Sequence, residues 1–384
     1  MPTERLQSIL SEAVGANDVP FVVAIAGTGA GASFSGAAGE CAPDVAAAED
    51  TVFRIFSMTK AIGSTAAMIL IDRGKLDPET PVEEILPEFA EIKLLEGFDS
   101  NRPKLRAPNR KATVRHLATH TSGFAYEFWN ADIARYLEVT EHPSILSGLR
   151  EALNYPLTFE PGERWDYGIG IDWLGLVVEA IDGRRIDRFC RDEILDPLGM
   201  TDTRFEVEPH MADRLATVKA RGADGQFADF DLAPPPEPEV YGMGHALYST
   251  APDYFRFLRM FLNKGALDGT RILSEAGIDR MLANHIGDLR MAKMVTEVPD
   301  VTADVDLFPG IDKTHSLGFV RVESDVPGRR SAGSQGWAGV LNTHFWFDPA
   351  REVAGLIMTQ SLPFVEPRFM ALYERFERAV YGSA

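Results

Sequence analysis

Ser57 and Lys60 are the two side chains of this sequence whose spacing points most directly to chemistry, because they lie three residues apart where a helical pattern begins. Residues three apart share one face of a helix, so a hydroxyl and an amine would be neighbours. A lysine whose pKa is lowered by its surroundings can take a serine proton, and the N–H groups at a helix N-terminus can stabilise an oxyanion. The alternative is a serine that caps a helix and is followed by an exposed lysine. Other motifs are needed to show whether Ser57 is a nucleophile or a helix cap.

Rival catalytic patterns are weaker. No serine lies in the G-x-S-x-G of an α/β-hydrolase, since the nearest match, AGSQG at 332–336, leads into a strand pattern and not into the helix that this motif requires. His116 and His120 have the i, i+4 spacing of a helical metal pair, but the glutamate of H-E-x-x-H is missing and no third ligand can be identified. We interpret both histidines as structural and predict no metal site.

Composition excludes several classes of protein. The 384 residues carry 57 acidic and 38 basic side chains, a net charge of −19, so nucleic acids and anionic lipid surfaces would be repelled. Two cysteines are too few for a disulfide framework. Residues 1–18 lack the basic start and apolar run of a signal peptide, and no stretch is long and apolar enough to span a membrane. These features predict a cytoplasmic protein that binds neither nucleic acid nor membrane.

The surrounding patterns indicate how the pair would be positioned. Apolar runs at 21–26 and 53–56 predict strands, and the helical pattern that starts at Ser57 ends at Gly74. From 76 to about 155, proline breaks alternate with helical patterns, including those at 114–120 and 145–153, and no strand signal is visible. Runs at 317–322, 340–347 and 353–359 predict antiparallel strands, and 366–381 predicts a helix that covers them.

This pattern predicts two lobes. Residues 1–75, 170–225 and 310–384 would form an α/β sheet lobe, with N-terminal and C-terminal strands in one sheet. Residues 76–169 and 226–309 would form a mostly helical lobe inserted between them.

Five motifs in order carry a family resemblance. They are FRIFSMTK at 53–60, DRGKLD at 72–77, TVRHLATHTSG at 113–123, FEPGERWDY at 159–167 and LDPLGM at 195–200. From about residue 20 to its end, the chain resembles the serine β-lactamase and penicillin-binding-protein superfamily, and within it the class C-like family VIII carboxylesterases. The resemblance implies an α+β, β-lactamase-like fold, in which an antiparallel sheet is flanked by helices and carries an inserted, mostly helical lobe.

The resemblance also implies a catalytic tyrosine. In that superfamily a Tyr-x-Asn motif supplies the second element of the site, and Tyr167 stands at the matching position. A phenol beside Lys60 can act as general base and later return the proton to the leaving alcohol. Ile169 replaces the asparagine, which removes an amide donor that lactamases use, and this makes β-lactam turnover doubtful. The GMGHALYST segment at 242–250 matches a glycine-rich family segment and predicts a tight turn at the rim of the cleft.

A third element comes from a strand near the C-terminus. Where the superfamily has Lys-Thr-Gly, the best match here is Trp337-Ala338-Gly339, as in the W-x-G of family VIII esterases. The small Ala338 and Gly339 would let the strand approach a ligand, and the N–H groups of Val340 and Ser57 are expected to form the oxyanion hole. An aromatic wall in place of an ammonium would suit neutral esters.

These features together predict a serine carboxylesterase that hydrolyses short-chain neutral esters through an acyl-enzyme on Ser57, with acyl transfer as a side activity. The predicted partner is a small-molecule ester, and neither a metal nor an organic cofactor is expected. The oligomeric state and the natural substrate stay open.

Two alternatives remain. The same nucleophile could serve a β-lactamase or D-amino-acid peptidase, against which Trp337 and Ile169 count, although Arg329 and Arg330 could restore anion binding. A penicillin-sensor-like module would be acylated at Ser57 without turnover.

Overall fold

The computed structural model describes residues 3–232, 235 and 237–382. Its helices are α1 Thr3–Gly15, α2 Thr59–Asp72, α3 Val82–Ile85, α4 Val114–Ala118, α5 Ala131–Thr140, α6 Gly170–Asp182, α7 Ile186–Cys190, α8 Ala251–Leu262, α9 Glu275–Leu282 and α10 Pro367–Val380. Its strands are β1 Phe21–Thr28, β2 Gly31–Ala42, β3 Val45–Ala46, β4 Phe53–Arg54, β5 Leu94–Asp99, β6 Arg102–Arg106, β7 Lys219–Arg221, β8 Phe227–Asp229, β9 Tyr248–Ser249, β10 Ala266–Leu267, β11 Thr270–Arg271, β12 Lys313–His315, β13 Val320–Val322, β14 Gln335–Gly339, β15 Thr343–Asp348, β16 Val353–Met358 and β17 Ser361–Leu362.

Strands from both ends of the chain form one antiparallel sheet, as predicted. Its order is β12-β13-β14-β15-β16-β1-β2-β3, and Val23 of β1 pairs with Met358 of β16 on one side and with Ala37 of β2 on the other. Nearly every residue of β1 and β15 is buried, because helices cover the sheet on both faces. The predicted α+β fold class is therefore confirmed.

Two helical layers enclose the sheet. On one face, α1 and α10 bury Leu10 and Phe376 against Val22 and Trp346. On the other face lie α8 and, beyond it, α2. Each apolar side chain buried in these layers contributes roughly 1.5–3 kcal/mol.

Helix α2 is buried almost entirely, with every residue from Thr59 to Ile71 in the interior. Such burial is typical of a helix in a protein core, and α2 packs against α6. Gly63 permits close contact, since a Cβ there would lie 2.8 Å from the Met243 Cβ. Burial of α2 carries Lys60 into the interior with it.

Three local predictions are wrong. Residues 76–155 contain a hairpin, β5 and β6, whose exposed charged strand Arg102–Arg106 hides the usual apolar alternation. The helical pattern at 145–153 forms two 3₁₀ turns, because Gly148 at φ +71° interrupts it. The predicted strand 340–347 starts at Thr343, after a turn in which Asn342 adopts φ +60°.

None of the described helices is long and apolar enough to cross a membrane. Both cysteines, Cys41 and Cys190, are buried and unpaired with each other. The lobe boundaries stay a prediction.

Candidate active site

Ser57 lies in a single 3₁₀ turn, Phe56–Met58, that leads directly into α2. Phe56 adopts φ +40°, a region that residues with a side chain rarely occupy, so the backbone bends sharply just before Ser57. The N–H of Ile55 donates to Leu247 O at 3.1 Å and anchors the start of this bend. The hydroxyl is thereby held at a cavity wall instead of capping the helix.

Lys60 lies one turn further along the chain and is only 1% exposed. Its Nζ donates to Ser57 Oγ at 3.2 Å, to Tyr126 OH at 3.0 Å and to Gly244 O at 2.8 Å. These contacts give a partner to each of the three protons of an ammonium group, and an amine could equally donate two hydrogen bonds and accept one from Ser57. The arrangement excludes the exposed lysine of the alternative interpretation.

Two tyrosines enclose the lysine. The Lys60 Nζ lies 5.0 Å from the ring centroid of Tyr126 and 4.9 Å from that of Tyr167, and the two rings are 4.9 Å apart. The Tyr167 OH accepts a hydrogen bond from Trp337 Nε1 at 3.3 Å. Within the described residues, the phenol that bonds Lys60 is that of Tyr126, while Tyr167 meets the ammonium with its ring face.

Tyr126 is the functional candidate that the sequence analysis missed. Its N–H donates to Tyr167 O at 3.0 Å, and the two segments run so close that a Cβ on Gly168 would lie 2.4 Å from Phe124 O. Burial, and next the Asp172 carboxylate, raise the pKa of Tyr126 well above its ordinary value, so the phenol keeps its proton. The one sequence signal is its position three residues after the TSG of the 113–123 motif.

Strand β14 ends beside the serine. A Cβ on Gly339 would lie 2.2 Å from Ile55 O, so only glycine allows this approach. Val340 follows the strand and lines the same cavity as Ser57, while Ala338 and Trp337 line a narrow extension of it. The Trp337 ring packs edge-on against Tyr167, with centroids 4.9 Å apart. The structure thus brings all seven candidate residues of the sequence analysis to one place.

The two histidines of the 113–123 motif have packing contacts. His116 Nδ1 accepts from Thr113 N–H at 3.1 Å in a capping box at the start of α4, and burial lowers its pKa to about 4. His120 is buried, accepts from Gly168 N–H at 3.4 Å, and lies 4.8 Å from the Tyr167 ring. The described part of the chain holds no group of three potential metal-ligating side chains.

Three adjoining cavities meet around Ser57. The one that contains the Ser57 hydroxyl has a volume of about 150 Å³, and the extension towards Trp337 about 20 Å³. A larger cavity of about 420 Å³ shares four residues with the first. The shared wall is Phe56, Leu146, Leu232 and His245. Among the described residues that line these cavities there is no lysine or arginine.

Segment 242–250 forms part of this wall. The His245 N–H donates to Gly242 O at 3.1 Å, which closes the predicted tight turn. The expectation that Arg329 and Arg330 restore anion binding is wrong. Both guanidinium groups bond the buried Glu377 carboxylate of α10, with Arg329 Nε at 2.9 Å and Arg330 Nε at 2.8 Å, so neither faces the cavities.

Comparison with known proteins agrees with this geometry. The beta-lactamase family matches residues 7–379. The chain is 30% identical over 344 residues to lovastatin esterase of Penicillium rubens, covering 86% of this chain and 85% of that protein. It is 28% identical to monacolin J acid methylbutanoyltransferase of Aspergillus terreus, covering 87% and 82%.

A solved structure extends the likeness to three dimensions. Simvastatin synthase from Aspergillus terreus, in its LovD6 mutant form, superposes with a TM-score of 0.85 at 26% identity and covers 99% of this chain and 95% of that one. The match therefore includes the sheet, the surrounding helices and the segments that carry Ser57, Tyr167 and Trp337. With its serine, lysine and tyrosines gathered at the end of β14, the chain belongs to the beta-lactamase family of serine hydrolases and acyltransferases.

Proposed function

We propose that this protein is a serine carboxylesterase of the family VIII type, which cleaves short-chain neutral esters through an acyl-enzyme on Ser57 and can pass the acyl group to an alcohol. The observation that carries the proposal is the contact of Lys60 Nζ with Ser57 Oγ at 3.2 Å, at the wall of an apolar cavity that Ser57 lines. A serine so placed has a proton-transfer partner and a substrate pocket at once.

Acylation would use the groups around Ser57. As Ser57 Oγ attacks the ester carbonyl carbon, its proton passes to the pair formed by Tyr167 and Lys60, which starts this step one proton short, either as a phenolate beside an ammonium or as a phenol beside an amine. Lys60 holds Ser57 Oγ in place, and the N–H groups of Ser57 and Val340 are the proposed donors to the carbonyl oxygen, where the negative charge develops. The proton then goes to the leaving alcohol as the C–O bond of the substrate breaks.

The preference for neutral esters is supported by the cavity walls. A carboxylate beside the scissile bond would need a cation of its own. Lys60 already bonds Ser57, Tyr126 and Gly244, and the described lining residues supply no lysine or arginine. Trp337 takes the position at which the superfamily's Lys-Thr-Gly motif has its lysine ammonium. Ile169 is fully buried at the start of α6, where it presents no amide to a substrate. Both features disfavour β-lactams and peptide carboxylates.

A short acyl group and acyl transfer are supported by size and by relatives. A cavity of about 150 Å³ holds an acyl chain of a few carbons, while the adjoining 420 Å³ can take a larger substrate part. One relative is named for hydrolysis of an ester and another for transfer of a methylbutanoyl group, which is short and branched. Hydrolysis and transfer share the acyl-enzyme and differ only in the acceptor.

The test is steady-state hydrolysis of p-nitrophenyl acetate and butyrate beside a chromogenic cephalosporin, with the native protein and Ser57→Ala. We expect turnover of both esters that Ser57→Ala abolishes, and little cleavage of the cephalosporin. Faster cephalosporin cleavage would favour the β-lactamase alternative. Ester turnover that survives without Ser57 would refute the nucleophile, and one equivalent of product without turnover would indicate a sensor.

A further inference from the structure

His245 is a polar residue in the wall between the two larger cavities, and the proposed acylation step leaves it unused. It lines both the cavity that holds Ser57 and the 420 Å³ cavity. Its side chain is 17% exposed, so part of the ring is open to them. An imidazole that is partly exposed to the cavity of a nucleophile can accept a proton from a bound hydroxyl.

A buried carboxylate stands behind this ring. Asp172, in the first turn of α6, has a side chain that is 0% exposed, and its Oδ1 lies 3.6 Å from His245 Nδ1. The same Oδ1 accepts from Gly244 N–H at 2.8 Å. His245 Nδ1 and Asp172 Oδ2 have no hydrogen-bond partner within the described residues. The carboxylate therefore favours the tautomer that carries its proton on Nδ1.

The glycines of the turn fix which edge of the ring is open. A Cβ on Gly242 would lie 2.3 Å from His245 Cε1 and 2.8 Å from its Nδ1, so that edge is covered. A Cβ on Gly244 would lie 2.5 Å from Asp172 Oδ2, so the carboxylate also sits tight against the turn. Of the two ring nitrogens, Nδ1 is the one that is buried without a partner within the described residues, which leaves Nε2 with its lone pair as the nitrogen that can face the cavities.

We propose that His245, oriented by Asp172, binds and deprotonates the acyl acceptor, water or an alcohol, when the acyl-enzyme on Ser57 is broken down. This inference rests on the proposed function and concerns its second half. The acceptor O–H proton moves to His245 Nε2, and the acceptor oxygen bonds the acyl carbonyl carbon. The bond from that carbon to Ser57 Oγ breaks, and Oγ takes a proton from the Lys60 ammonium. The imidazolium then returns its proton to the lysine amine through water in the cavity.

Burial supports a neutral ring at pH 7. It lowers the pKa of His245 by more than the Asp172 carboxylate raises it, and the charge of Lys60 lowers it slightly further. A neutral imidazole has the free lone pair that a base needs. The other titratable side chains that line the two cavities are Tyr126, Tyr167, Glu206, Glu237, Tyr241 and Tyr248.

The test separates acylation from deacylation by stopped-flow with p-nitrophenyl butyrate. In His245→Gln and His245→Ala we expect the first-turnover rate of nitrophenol release to stay within about threefold, whereas steady-state turnover falls roughly 100-fold, as for a lost general base. Both variants should show a burst of one equivalent, even if the native protein shows none. Added imidazole should restore turnover of His245→Ala. His210→Gln, which removes a histidine that is 48% exposed, is the control and should match the native protein.

A structural role for His245 would lower the first-turnover and steady-state rates together and would leave imidazole without effect. That result overturns the inference, and so does steady-state turnover that stays unchanged in His245→Gln. If instead Ser57→Ala shows the same nitrophenol release as the native protein, the proposed function itself has failed.

Discussion

The hydroxyl of Tyr126 should matter for catalysis although no motif points to it, and Tyr126→Phe tests this. The change removes the acceptor 3.0 Å from Lys60 Nζ and keeps the ring that packs on Tyr167. A hydrogen bond to a charged group contributes about 1.5–3 kcal/mol. Lys60 Nζ would keep its hydrogen bonds to Ser57 Oγ and Gly244 O and lose the third. If that energy is used to aim the ammonium at Ser57, kcat/KM falls by roughly 10- to 100-fold, since 1.4 kcal/mol is a factor of ten.

The assay is kcat/KM for p-nitrophenyl butyrate together with thermal unfolding. Tyr155→Phe is the matched control, because Tyr155 is fully buried and its OH accepts from Ile145 N–H at 3.1 Å, outside the residues that line the Ser57 cavity. It should lose stability and keep kcat/KM. If kcat/KM of Tyr126→Phe stays within threefold of the native value, the claim that three hydrogen bonds position Lys60 for catalysis is refuted. A large loss in Tyr167→Phe alone would then leave Tyr167 as the sole working phenol.

Two further changes test the packing and the buried charges. Gly339→Ala places a Cβ 2.2 Å from Ile55 O. We therefore expect the free energy of unfolding, measured by chemical denaturation, to fall by about 1–3 kcal/mol and kcat on short esters to decrease. Unchanged values would show that the contact relaxes at no cost. Burial lowers the pKa of His315 to about 4, so its folded form resists protonation and stability is lost as pH falls below 6.5. Between pH 7 and pH 5 this histidine should account for roughly 2 kcal/mol of lost stability. The free energy of unfolding of His315→Gln should fall less than that of the native protein over this pH range, by the same amount. An identical fall in the two proteins would contradict the prediction.

The fold was accessible from the sequence because its strongest signals are local. Continuous apolar runs marked β1 and β16, and a partly apolar run predicted from residue 340 marked β15. The amphipathic pattern of α10 predicted that this helix covers the sheet. The family resemblance, confirmed by the match over residues 7–379, added the arrangement of these elements. Hairpin β5–β6 was missed because its second strand is charged and exposed, which leaves no apolar alternation to detect.

The site was only partly accessible. Ser57, Lys60, Tyr167 and residues 337–340 were proposed from motifs, and their roles stay predictions although the structure gathers them around one cavity. Tyr126 and His245 could not be found in that way, because each reaches the site through a tertiary contact. A tyrosine three residues after a glycine, or a histidine between glycines and apolar residues, has no distinguishing sequence pattern.

Buried polar groups connect Tyr126 and His245 to the residues that were predicted from motifs. Gly244 accepts a hydrogen bond from Lys60 through its C=O and donates one to Asp172 through its N–H. It therefore lies between the ammonium and a carboxylate that has no lysine or arginine partner within the described residues. An uncompensated charge in the interior is costly, and two opposite charges held on either side of a glycine reduce that cost for each other. Tyr126 and His245 both border Asp172, one as a neutral phenol and the other as an imidazole. A carboxylate in this place can therefore influence both halves of the proposed reaction, acylation through the hydrogen bonds of Lys60 and deacylation through the tautomer of His245.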